Sequence, residues 1–178
     1  MGGTDEEHSY AGLFGAFPYA YRSSDSRGFK LYVVVGGLLA AVLSLVFLLA
    51  LVGQIADTVG TTDQTFSFVR AFFIFVGLCV VAPVLAPVLL VARRHRRTGG
   101  DPRYDAALAA TGFTYLAALY LALVVSTPAE GQTLIDAGTS APVARALYAL
   151  PRAAAVVPPA VAVVLMALVH RRRRGVGS

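Results

Sequence analysis

Residues Val80–Arg97 read VVAPVLAPVLLVARRHRR: an apolar run that carries two prolines, Pro83 and Pro87, and stops on four arginines in five residues. A soluble helix rarely combines these features. Each proline removes an amide donor and crowds the carbonyl one turn earlier, so a helix through this stretch should kink. The two are four apart and share one face. In hydrocarbon a freed carbonyl on a lipid-facing surface is expensive, so that face is expected to turn toward other helices or a hydrated crevice. The arginines then read as the point where the helix leaves the bilayer.

Composition agrees with this reading. Of 178 residues, 57% are hydrophobic and 14% charged, against about a quarter charged in soluble domains. A bilayer core of about 30 Å takes roughly 20 apolar residues to cross as a helix. Three apolar cores meet that length, Leu31–Gly53, Ala71–Ala92 and Ala106–Ser126, and a fourth, Ala153–Val169, sits at its lower limit. With their flanks the predicted spans are about 31–53, 68–92, 103–126 and 153–170. The expected organisation is a cytoplasmic or interfacial N-terminal segment (1–30), an all-α integral membrane four-helix bundle (31–170) and a basic cytoplasmic tail (171–178). MGGTDEEHSY is acidic and lacks the basic start of a secretory signal.

The ends of the spans carry matching punctuation. Thr61-Thr62-Asp63-Gln64 suits a capping box before the second helix, and Asp101-Pro102 places a cap residue and then a first-turn proline before the third. Thr127-Pro128 closes the third, and Pro151 separates a short amphipathic piece, 141–150, from the fourth. Orientation follows from fourteen arginines and one lysine. With both termini inside, twelve fall on inner segments: Arg22, Arg27, Lys30, Arg93, Arg94, Arg96, Arg97, Arg103 and Arg171 to Arg174. Only Arg70, Arg145 and Arg152 fall outside. That bias predicts cytoplasmic termini. Phe66, Phe68, Phe72, Phe73 and Tyr148 then lie at the outer surface, where aromatic side chains anchor helices.

Pro158-Pro159 repeats the proline problem in the fourth span. Starting that helix at the prolines would leave only twelve apolar residues, about 18 Å of rise, so they are expected within the membrane as a second kink site. Shifted by 76 residues, VVAPVLAPVLLVARRHRR overlays VVPPAVAVVLMALVHRRR. Much of the match is alanine and valine, which coincide cheaply; a duplicated two-helix hairpin stays an alternative to a plain four-helix chain. Small residues mark the expected contacts: Gly36, Ala40 and Ser44 on the first span, and Ala106, Ala110, Thr114, Ala118 and Ala122 on the third.

No ionisable residue stands at the centre of a span, where it would cost roughly 2.5 to 3.5 kcal/mol and point to transport or proton transfer. No glycine loop for phosphates, catalytic triad spacing or paired zinc-ligand motif occurs, so neither a catalytic residue nor a cofactor is assigned. His95 and His170 sit among arginines, whose charge opposes a metal cation, and no metal site is expected. Cys79, the one cysteine, is expected as a buried, inert thiol. Arg93, Arg94, Arg96, Arg97 and Arg171, Arg172, Arg173 and Arg174 read as topology and headgroup anchors rather than a nucleic-acid surface. YAGLFGAFPYAYRSSDSR, with Tyr10, Leu13, Phe14, Phe17, Tyr19 and Tyr21, suits a segment lying in the inner headgroup region; the alternative is a plug or arm beneath the bundle.

AGLFGAFPYAYRSSDSRGFK and APVLLVARRHRRTGGDPRYDAALA resemble uncharacterised small multi-pass membrane proteins of halophilic archaea, a domain of unknown function. The resemblance spans nearly the whole chain and implies no activity, cofactor or site. The basic overall charge departs from the acidic habit of soluble halophile proteins. The expected function is therefore a structural or accessory membrane component whose partners are the lipid bilayer and a second copy or a larger membrane complex. The alternative is a small transporter or channel subunit in which Pro83, Pro87, Pro158 and Pro159 frame a path.

Overall fold

A computed structural model describes residues 12–56, 64–127 and 146–174. Every extended element among them is helical: α1 (Gly12–Ser23), α2 (Arg27–Ala56), α3 (Gln64–Thr98), α4 (Pro102–Val125), a 3-10 helix (Arg152–Val156) and α5 (Val157–Arg174). Four helical stretches are long and apolar enough to cross a membrane: Arg27–Ala56, Phe68–Thr98, Pro102–Val125 and Arg152–Arg173. The contacts divide the chain into a unit that ends at Ala109 and a unit that begins at Ala110, with α4 continuous through the boundary.

In the first unit, α2 and α3 pack together and α1 lies against both. The buried face of α2 is Phe29, Tyr32, Val33, Gly36 and Ala40, spaced by three and four residues and therefore a single stripe. It meets a core that includes Ala16 and Ala20 of α1 and Val84, Val88 and Val91 of α3, all at most 1% exposed. Two alanines one turn apart let α1 come close. Phe17 reaches α2 where Gly37 has no side chain: a Cβ there would stand 3.0 Å from the ring. The N-terminal segment is thus partly a packed helix. Tyr10 and the side chains of Leu13 and Phe14 lie outside the described residues.

Beyond Ala40 the C-terminal half of α2 is almost entirely uncovered. Leu45, Val46, Leu48 and Leu49 are more than half exposed, and α2 touches α3 there through Phe47, whose ring stands edge-on to Phe73 at 6.5 Å. Gly77 permits the contact, since a Cβ would sit 3.2 Å from Phe47. Cys79 is exposed, not buried as expected. The inward face of α3 runs through Gly77, Val84, Pro87 and Val88, and Cys79 falls off that line.

Three boundaries show how local sequence sets the ends. Ser26 caps α2, its Oγ accepting from the Phe29 amide at 3.3 Å. α3 does not stop at Ala92 but runs through the arginines to Thr98, and Gly99, at φ +86°, ends it in the left-handed conformation that glycine adopts freely. Asp101 then caps α4, its Oδ1 accepting from the Arg103 amide at 3.0 Å, with Pro102 at the first helical position. The capping residues predicted for α3, 61–63, and the first half of the amphipathic piece 141–150 lie outside the described residues.

The second unit resolves the length problem at Pro158-Pro159. Both prolines stand in the first turn of α5, where an amide has no intrahelical partner to lose. The span reaches 22 residues because the 3-10 turn Arg152–Val156 runs directly into it. The prolines therefore mark a change of helix type, not the middle of one α-helix.

Candidate functional site

The polar chemistry of the first unit gathers at the basic ends of its helices. The turn Thr98-Gly99-Gly100-Asp101 sets the first turn of α4 against the last turns of α3, and Gly100 lies under the His95 ring, where a Cβ would be 3.0 Å from Cε1. This brings His95 onto Asp105, ten residues later. Nε2 is 2.9 Å from Oδ2 and 3.1 Å from Oδ1. From the α1–α2 junction, Ser24 donates its hydroxyl to Oδ2 at 2.6 Å and accepts the Ser26 amide at 3.2 Å. The side chains of His95 and Asp105 are 4% and 1% exposed, and Ser24 is fully buried. An ionised carboxylate only accepts, so the His95 Nε2 carries the proton in this pair.

The order of the three groups decides what they can do. Nucleophilic catalysis needs the serine proton directed at the imidazole. Here both donors converge on Asp105. The knot ties together the end of α1, the end of α3 and the start of α4, and leaves no hydroxyl activated for attack.

Around it the basic side chains are sorted. Arg94 lies with its guanidinium carbon 4.0 Å above the Tyr104 ring and Nη2 3.5 Å from Asp101. Its Nη1 is buried without a hydrogen-bond partner, so the aromatic face supplies the interaction a buried cation requires. Arg96 stands 5.2 Å over Tyr19 and Lys30 5.6 Å over Tyr21. Arg93, Arg96 and Arg97, with Leu89 and Ala92, line a separate hollow of about 360 Å³.

Of the kink residues, Pro87 is fully buried and Pro83 half-buried, so the proline face of α3 points inward. Tyr32 of α2 donates its hydroxyl to the Val84 carbonyl at 2.7 Å. This carbonyl is adjacent in sequence to that of Pro83, which lost its partner to Pro87, and a neighbouring helix supplies a bond where the ladder is disturbed. Tyr32→Phe is expected to lower stability by about 1 kcal/mol, read as a lower unfolding midpoint in detergent, with helix content unchanged.

The small-residue stripes fare differently. Gly36 and Ala40 are buried, while Ser44 is exposed on the C-terminal half of α2. On α4 Ala106, Ala110 and Thr114 are exposed, Ala118 is buried and Ala122 half-buried. The buried residues of α4 mix bulky side chains, Tyr104, Leu108 and Tyr115, with small ones, Ala109, Gly112 and Ala118, so only one member of the predicted stripe lies among them. Thr114 returns its hydroxyl to the Ala110 carbonyl at 2.9 Å. Arg171, Arg172 and Arg173 are exposed, and the side chain of Arg174 lies outside the described residues. Among the described residues no group of three or more His, Cys, Asp or Glu side chains could hold a metal ion.

Sequence reading missed Ser24, Tyr32, Tyr104 and Asp105. A signal for Asp105 was present: a lone acid at the foot of an apolar helix, facing a helix that ends on cations across a Gly-Gly turn.

These observations define a class first, an all-helical protein with four helices that could cross a membrane and a buried polar knot at the basic helix ends. Residues 4–174 match the family described as Domain of unknown function (DUF8056), and the chain belongs to that family. No curated protein and no solved structure matches it.

Proposed function

We propose that the protein is an integral membrane protein of four spans with both termini in the cytoplasm, serving as a structural or accessory component that associates with itself or with a larger membrane complex. The observation that carries the reading is the mismatch on α2: mean hydropathy 2.8 with only 17% of the span buried. In water so much exposed leucine and valine would drive aggregation; in lipid it is the correct surface. Twelve of fifteen cationic side chains fall on the segments assigned to the inside, which supports the orientation. Arginine outnumbering lysine fourteen to one supports a halophilic archaeal cell membrane as the setting.

The knot supports a structural role. Its buried groups hold helix ends together, and the exposed small residues Ala106, Ala110 and Thr114 of α4 offer a surface for close approach by another helix.

Single cysteines in a Cys79→Ser background test the topology. A membrane-impermeant maleimide applied to intact cells should label Gln132→Cys, and Ser178→Cys only after lysis. The reverse pattern would overturn the orientation. Purification of the same protein in mild detergent should yield a homo-oligomer or a defined companion, and a monodisperse monomer alone would end the accessory reading.

A further inference from the structure

The four arginines of Arg93–Arg97 form one block in sequence but two groups in space. Arg94 is spent on Tyr104 and Asp101. Arg93, Arg96 and Arg97 share another face of α3 with Leu89, at spacings of four, three and one, and together with Ala92 enclose the hollow of about 360 Å³. We infer that this hollow is a discrete site for one anionic phospholipid, whose phosphate is held by Arg93, Arg96 and Arg97 and whose first acyl carbons run along Leu89.

Three guanidinium groups around one hollow repel one another, and among the described residues no carboxylate pairs with Arg93 or Arg97. An anion relieves that repulsion, and planar guanidinium forks match phosphate oxygens. The apolar floor selects the source of the phosphate. Leu89 and Ala92 belong to the membrane-spanning run, so the hollow is charged at one end and greasy at the other, as a lipid is at its headgroup. A free anion would leave the apolar end empty. Arg96, lying over Tyr19 of α1, is held in place before the ligand arrives.

The inference rests on the membrane reading above, and the test separates the two. The full-length protein, purified in mild detergent, is titrated with dioleoyl-phosphatidylglycerol, dioleoyl-phosphatidylcholine or inorganic phosphate, and bound lipid is counted by native mass spectrometry. One phosphatidylglycerol should bind in clear preference to phosphatidylcholine, and inorganic phosphate should not displace it. R93Q/R96Q/R97Q should weaken that binding roughly a hundredfold, while R22Q/R27Q/R152Q, exposed arginines outside the hollow with the same charge removed, should leave it unchanged. Equal binding of the two lipids by the wild type, equal loss in both variants, or displacement by inorganic phosphate would overturn the site. The wild-type lipid comparison decides the matter even if the triple variant does not fold. A protein that stays in solution without detergent would instead sink the membrane reading itself.

Discussion

Asp105→Ala is expected to be among the most damaging single substitutions in the chain, lowering stability by about 3 to 5 kcal/mol. The carboxylate is the only acceptor in the knot for two buried donors, the Ser24 hydroxyl and His95 Nε2. Its removal strands both at once, and a stranded buried donor costs its full desolvation penalty. Asp105→Asn should cost less, since an amide oxygen still accepts from one donor. Replacing His95 and Asp105 together with leucine should recover much of the loss, because no charge then remains buried without a partner. Denaturant midpoints of the four proteins in one detergent measure this. An Asp105→Ala protein that melts with the wild type would show that the knot contributes nothing.

The second large effect tests the solvent around α2. Leu45 is 55% exposed. On a protein surface in water, an exposed leucine exchanged for arginine changes stability by no more than about 0.5 kcal/mol and often improves solubility. At the centre of a bilayer the same exchange costs roughly 2.5 to 3.5 kcal/mol. Leu45→Arg should therefore sharply reduce the membrane-integrated fraction, measured by carbonate extraction of isolated membranes. Unchanged integration, or a gain in soluble protein, would contradict a lipid-facing α2. The contrast is one of sign as well as size.

Much of the architecture was legible in the chain because its signals are local. The apolar runs and the Asp101-Pro102 cap each depend on a few adjacent residues, and helices formed where those residues stand. The prolines illustrate the limit. Pro83 and Pro87 were placed inside a helix from sequence, and they lie inside α3. Pro158 and Pro159 were expected within the fourth span and lie within it, but a 3-10 turn precedes them, so they stand in the first turn of α5 and not in its interior.

What sequence alone determined was where helices run and which segments are too apolar for water, since backbone bonding and transfer free energy act residue by residue. Which arginine stacks on a tyrosine, which carboxylate gathers a serine and a histidine, and which face of α4 turns inward depended on residues up to 81 positions apart meeting in space. Periodicity cannot report such meetings, because burial and hydrogen bonding are properties of pairs. The alanine stripe was visible in the sequence, but its spacing could not say that Ala118 is buried and Ala106 exposed; Asp105 was quiet in the sequence and central in the structure.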